Sequence, residues 1–188
     1  DCENLGLRWL ERLEQQARHP KVVALGEMGL DYFKEYTPRE LQRNVFRAQL
    51  ELSVSLDMPV VVHNRDSDDD VAQLMIKHGN GKGVLHCFAS DLTMANKMVR
   101  AGYLISFTGI ATFGNKTVVD TIKGLQLNYM MVETDSPFLA PVPVRGKTNE
   151  PSYVRHVAEK IAELKNTTIQ EVERITTHNA AKLFSLPV

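Results

Sequence analysis

The run Pro59-Val60-Val61-Val62-His63-Asn64-Arg65 decides how the chain reads. Three consecutive valines leave no polar face, so a strand built on them must be covered on both sides, as in a parallel sheet between helices. Amphipathic stretches flank it, Arg39–Leu56 before and Val71–His78 after. The same unit recurs in both directions. Upstream, Leu5–Gln16 predicts a helix with Leu7, Leu10 and Leu13 on one face, and Val22–Leu25 predicts a strand. Downstream, strands are expected at Gly83–Leu85, Tyr103–Phe107 and Tyr129–Val132, with helices at Leu92–Ala101 and Lys116–Lys123 between them. Helices at Ser152–Leu164 and Ile169–Phe184 follow, the first opening just after Pro151.

Strands alternating with helices make this an α/β chain whose sheet is parallel. A doubly wound nucleotide fold would need a glycine-rich phosphate turn, and neither G-x-G-x-x-G nor a P-loop is present. The other candidate is a TIM-type (β/α) barrel, which has eight strands against the five read here. No linker or longer repeat interrupts the pattern, so residues 1–188 read as a single domain.

Composition sets wide bounds. A 43% apolar and 24% charged chain of 188 residues is globular. No apolar run reaches the ~20 residues of a bilayer span, so no membrane partner is expected. Asp1-Cys2-Glu3-Asn4 does not read as a signal peptide, and Cys2 and Cys87 read as free thiols, which together predict a cytoplasmic protein. With 22 basic and 23 acidic side chains, there is no large basic face for coating duplex nucleic acid. An enzyme that grips a few phosphates through metal ions remains compatible.

The residues that follow the strands carry the chemistry. Val22–Gly26 leads into Glu27, Pro59–Val62 into His63 and then Arg65, Gly83–Leu85 into His86, and Tyr129–Val132 into Glu133 and Asp135. Carboxyl ends of parallel strands share one face, where active sites form. Imidazoles and carboxylates converging from four strand ends make a ligand set for Zn²⁺, Mn²⁺ or Fe. Taken singly, each has a plainer reading: a hydrogen-bonded histidine, or carboxylates capping the Ser136-Pro137 turn. His19, His78, His156 and His178 lie in a turn or on helices and are not expected to be ligands. Asp66-Ser67-Asp68-Asp69-Asp70 lacks the glycine and distant glutamate of a calcium loop and reads as the acidic start of the following helix. Tyr32, Phe33 and Tyr36 either roof the core or stack a base.

Several segments resemble the TatD family of nucleases: Gly26-Glu27-Met28-Gly29-Leu30-Asp31-Tyr32, Val62-His63-Asn64-Arg65, Leu85-His86-Cys87-Phe88, Ser106-Phe107-Thr108-Gly109, Val132–Pro137 with Leu139-Ala140-Pro141, and Arg145–Pro151. They keep the family's order across Val22–Phe184. The resemblance implies a (β/α)₈ barrel that hydrolyses DNA phosphodiesters, acting on single strands or ends, with two divalent ions (Mg, Mn or Zn). It implies Glu27, His63, His86 and Asp135 as metal ligands, Glu27 bridging both ions. The family's H-x-H strand and two further strands are not in this sequence, so the barrel is expected to be incomplete, with five of eight strands. One ion would keep Glu27, His63 and His86, and the other Glu27 and Asp135.

The mechanism that goes with this resemblance is attack by a metal-activated water, with Asp135 as general base and Glu27 also catalytic. Arg65, Arg145 and Lys147 would bind substrate phosphate. The plainer readings are an Arg65–Asp66 ion pair and a solvated Arg145–Lys147 loop. Three functional alternatives stand beside DNA hydrolysis: another ester, amide or phosphoester substrate, an inactive fragment acting as a structural partner, or a barrel completed by a second chain.

Overall fold

A computed structural model of the chain describes residues 2, 5–33 and 36–187. The chain divides into two compact units, Asp1–Val84 and Leu85–Val188.

The first unit contains α1 (Trp9–Ala17), β1 (Leu25–Asp31), α2 (Arg39–Ser55), β2 (Val60–Arg65) and α3 (Asp68–His78), and it ends inside β3 (Gly83–Leu85). Its strand order is β1-β2-β3. The valine run behaves as its composition requires, with Val60 and Val62 fully buried. Leu25, Met28 and Leu30 of β1 are buried too, as are Phe46 and Leu50 of α2 and Val71 and Met75 of α3. A core side chain of the size of Phe46 or Leu50 contributes roughly 1.5–3 kcal/mol by leaving water. Asp68, Asp69 and Asp70 occupy the first turn of α3, where the helix dipole favours acids, and Lys77 and His78 occupy the last.

The second unit continues from β3 through α4 (Leu92–Arg100), β4 (Leu104–Phe107), α5 (Lys116–Gly124), β5 (Met130–Val132), α6 (Val154–Lys165) and α7 (Ile169–Phe184). Its order is β3-β4-β5, and β4 and β5 are parallel, with Ile105, Ser106 and Phe107 opposite Met130, Met131 and Val132. The core joins Ile105, Phe107 and Met130 to Val157 and Ile161 of α6 and Val172 of α7. Helix starts follow side-chain caps. Asp91 accepts from Met94 N–H at 2.9 Å, Asn115 from Val118 at 3.3 Å and Thr168 from Glu171 at 3.2 Å. No helix among the described residues is long and apolar enough to cross a membrane.

Five parallel strands alternating with helices match the α/β reading. The edges of several elements differ from it: α3 starts at Asp68 rather than Val71, and β4, β5 and α6 start one or two residues later than read. β1 begins at Leu25 rather than Val22, because Val22 N–H instead closes a turn onto His19 carbonyl at 2.9 Å. It then runs on through Gly26–Asp31, where two glycines disguise a strand that pairing with β2 enforces. β2 likewise carries His63 and Arg65 within the strand rather than after it. α1 starts at Trp9, four residues later than the leucine spacing predicts, and Leu7 is 96% exposed.

Candidate metal centre

In the first unit, β1 and β2 run parallel with Leu25 opposite Val60 and Met28 opposite Val62. Three steps of β1 therefore span two of β2, so Gly26 and Glu27 form a bulge. A bulge re-aims the side chain it carries, and Glu27 Oε1 comes to 3.1 Å from His63 Nδ1. The two strands approach so closely beyond it that a Cβ on Gly29 (φ 141°) would lie 2.0 Å from the His63 carbonyl oxygen. Only glycine fits there.

The other ring nitrogen, His63 Nε2, is 3.3 Å from Asp31 Oδ2. Asp31 is itself tied down. Its N–H donates to Gln42 Oε1 at 2.9 Å, its carbonyl accepts from Gln42 Nε2 at 3.0 Å, and its Oδ1 accepts from Phe33 N–H at 3.0 Å. Gln42, buried on α2, also donates to the Thr37 carbonyl at 2.9 Å. Of the three aromatics after β1, Tyr36 is exposed and the other two separate in role. Tyr32 is buried and its hydroxyl donates to Asp70 Oδ2 at 2.6 Å, with Arg39 4.3 Å from its ring centre. Burial, reinforced by the Asp70 carboxylate, pushes the Tyr32 hydroxyl up to about 12. Phe33 is 54% exposed, and the Arg65 guanidinium stacks 3.8 Å from its centre. Arg65 thus faces an aromatic ring, where the sequence offered Asp66 as the plain partner.

In the second unit, His86 follows β3 directly and is buried. Its Nδ1 lies 3.6 Å from Glu133 Oε2. Cys87, held at φ 47° in the left-handed region, donates its N–H to Glu133 Oε1 at 2.8 Å. Burial alone would raise the Glu133 carboxyl, but hydrogen bonds from His86, Cys87 N–H and the Ser106 hydroxyl outweigh it and hold the group below the ordinary glutamate range. Two residues on, Asp135 also adopts a left-handed backbone (φ 57°), and its carbonyl accepts from Phe138 N–H at 2.9 Å. Strain of this kind persists only where surrounding bonds enforce it. The enforcing residue is Asn149, whose Nδ2 donates to the carbonyls of Thr134 at 2.7 Å and Phe138 at 2.6 Å. Arg145 stacks over Phe113, 4.3 Å from its centre, and Lys147 is exposed nearby in the chain.

The four proposed ligands are thus placed as pairs by unit: Glu27 with His63 in the first, His86 and Asp135 in the second. Sequence reading missed three supporting residues. Glu133 was visible as an acid after a strand and Asp31 only as one residue of the Gly26–Tyr32 segment, and the histidine beside each was not foreseen. Asn149 was visible only as one residue of the Arg145–Pro151 segment. Of the remaining histidines, His19 Nδ1 accepts from Lys21 N–H at 3.2 Å, His78 lies 3.0 Å from Glu51 and His156 3.0 Å from Glu159.

Against protein families, residues 3–185 match the model described as TatD-related DNase. The chain belongs to this family. Curated relatives include the metal-dependent hydrolase YabD of Bacillus subtilis, 42% identical over 99% of this chain and 73% of its own length. The metal-dependent hydrolase YcfH of Escherichia coli is 43% identical over 94% of this chain and 68% of its own. Among solved structures, the TatD homologue YJJV of Escherichia coli superposes with a TM-score of 0.91 at 33% identity, covering 98% of this chain and 73% of that one.

Membership in a family of metal-dependent hydrolases can be set against the donor geometry. Two ligands each ~2.0–2.2 Å from one ion, at angles between square and tetrahedral, lie about 3.0–3.5 Å apart. Glu27 Oε1 and His63 Nδ1, at 3.1 Å, have that separation, and imidazole nitrogen with carboxylate oxygen is a donor set that divalent first-row ions accept. The residues fit a metal.

Proposed function

We propose that this chain is a metal-dependent deoxyribonuclease that hydrolyses phosphodiester bonds at the ends of single-stranded DNA, on a (β/α)₈ barrel to which its five strands belong. The observation that carries the reading is the bulge-aimed Glu27 carboxylate at 3.1 Å from His63 Nδ1, in a chain of the TatD family. By resemblance to the family, Glu27, His63 and His86 would hold one divalent ion, and Glu27 with Asp135 a second. Bound Mg²⁺, Mn²⁺ or Zn²⁺ supplies Lewis acidity and a lowered pKa for water. Asp135 accepts the proton of the attacking water. Arg65, held face-on by Phe33, keeps its edge N–H donors for two non-bridging phosphate oxygens, and Arg145 and Lys147 take a neighbouring phosphate.

The test is nucleotide release from a labelled single-stranded oligonucleotide with each of the three metals. It should be run on this chain and on a version extended to the length of its relatives. His63→Ala should lower metal affinity at least ~100-fold and abolish release. Cleavage of amides or lactones but not DNA, by a protein that still loses metal in His63→Ala, would replace the substrate and keep the site.

A further inference from the structure

Backbone carbonyls outside helix and strand have no ladder to join and must find donors elsewhere. Thr134–Phe138, beyond the end of β5, is such a stretch. One residue of the second unit supplies most of its donors. Asn149 Nδ2 reaches the carbonyls of Thr134 at 2.7 Å and Phe138 at 2.6 Å, and Asn149 N–H donates to the Pro137 carbonyl at 3.0 Å. The residue is 3% exposed, and its amide has one workable orientation. Carbonyls only accept, so the NH₂ must face them, while Oδ1 accepts from Glu150 N–H at 3.0 Å.

These bonds act on Asp135 through its peptide planes. The Thr134 carbonyl lies in the plane that leads into Asp135, and the Asp135 carbonyl in the plane that leaves it. Asn149 holds the first plane. Phe138 N–H holds the second, at 2.9 Å, and Phe138 is itself held by the same Asn149 amide. With both planes fixed, the left-handed φ of 57° is fixed too, and with it the direction of the Asp135 Cα–Cβ bond. Arg145, in the same segment as Asn149, takes its order from the Phe113 ring.

We infer that Asn149 is the positioning residue for Asp135: its amide locks the turn that aims the carboxylate at the attacking water, while the grip on phosphate stays with Arg145. The catalytic half rests on the reading of Asp135 as the base. The hold on its backbone does not, and is measured without DNA or metal.

The experiment has two readouts. A left-handed backbone brings a residue's N–H and Hα close together, so Asp135 should give a strong intraresidue cross-peak in nuclear Overhauser spectra of the metal-free chain. The second readout is nucleotide release from a labelled single-stranded oligonucleotide, with the most effective of Mg²⁺, Mn²⁺ and Zn²⁺ at saturation. Asn149→Asp keeps the shape of the side chain and removes its amide donors. The Asp135 cross-peak should weaken, and kcat should fall about 10–100-fold with KM within about twofold. Asn149→Ser, which keeps one donor, should lie between that variant and the unmutated chain in both readouts. It carries the same comparison if Asn149→Asp does not fold by its melting profile.

A weak Asp135 cross-peak in the unmutated chain overturns the inference. So does a folded variant that keeps kcat, which would make the role of Asn149 one of stability alone, or one whose kcat falls while the cross-peak stays strong. A rise in KM with kcat held also overturns it, by moving Asn149 to substrate binding. If no version of the protein cleaves DNA with any metal, the nuclease reading fails. The cross-peak then still decides whether Asn149 holds Asp135.

Discussion

His63 and His86 are each the first polar residue after an apolar run, and each is backed by a carboxylate, yet the two are supported in opposite ways. His63 is 31% exposed, and Asp31 stands at its Nε2. His86 is 9% exposed, and Glu133 stands at its Nδ1. The first station is solvent-touched and gets its order from a helix side chain, Gln42, gripping the strand end. The second is buried, and its carboxylate is shared among a ring, a backbone N–H and a hydroxyl. The two rings thus turn opposite nitrogens to Asp31 and Glu133, Nε2 in one case and Nδ1 in the other. Changing the ring or carboxylate of the buried station should cost folding, whereas changing those side chains in the exposed one should cost chemistry.

The largest expected effects test whether each station depends on a glycine at close backbone approach. Gly29→Ala would put a methyl 2.0 Å from the His63 carbonyl oxygen, and Gly109→Ala would put one 1.9 Å from the Leu139 carbonyl oxygen. Neither contact is with a flexible side-chain end, so the backbone must move. Each should lower stability by about 3 kcal/mol or more, read from urea unfolding. Gly29→Ala carries the added strain of its positive φ, so equal losses would mean that φ strain adds little at this site.

A smaller effect separates the stations themselves. Glu133→Gln leaves Cys87 N–H and the Ser106 hydroxyl with a weaker acceptor in a buried place, and should cost about 1–3 kcal/mol at neutral pH. The folded Glu133 carboxyl titrates below its unfolded value. Its contribution is therefore fully present above the unfolded pKa and is lost as pH falls through the folded one. Urea midpoints of the unmutated chain and Glu133→Gln should converge on acidification below the ordinary glutamate range. A gap that stays constant would mean the stabilisation is packing rather than charge.

Much of this was legible from the chain. The valine run and the helices around it give a parallel α/β sheet, because period and β-branching act locally. His63, His86, Glu27 and Asp135 stand out because each follows an apolar run. What was hidden depends on contacts distant in sequence. Nothing local marks Glu133 as the partner of His86, 47 positions earlier, or Gln42 as the clamp on Asp31. The bulge at Gly26–Glu27 was hidden for another reason: the glycines that permit it also erase the alternation by which a strand is recognised.

The smallest effect sharpens the comparison within the first station, where adjacent aromatics point to different environments. Tyr32 turns inward to Asp70 and belongs to the fold, while Phe33 stays outside beneath Arg65. Phe33→Leu keeps the bulk at a half-exposed position and should change stability by no more than about 0.5 kcal/mol. It removes the aromatic face on which the guanidinium rests, worth about 0.5–1 kcal/mol, so KM for a DNA substrate should rise about two- to fivefold with kcat held. A variant that unfolds easily would place Phe33 with Tyr32 in the core. One with unchanged KM would mean that Arg65 either orders itself without the ring or does not touch the phosphate, and Arg65→Lys separates those two. Lysine keeps the charge but loses the planar fork, so KM should rise if the guanidinium grips two oxygens and stay flat if it grips none.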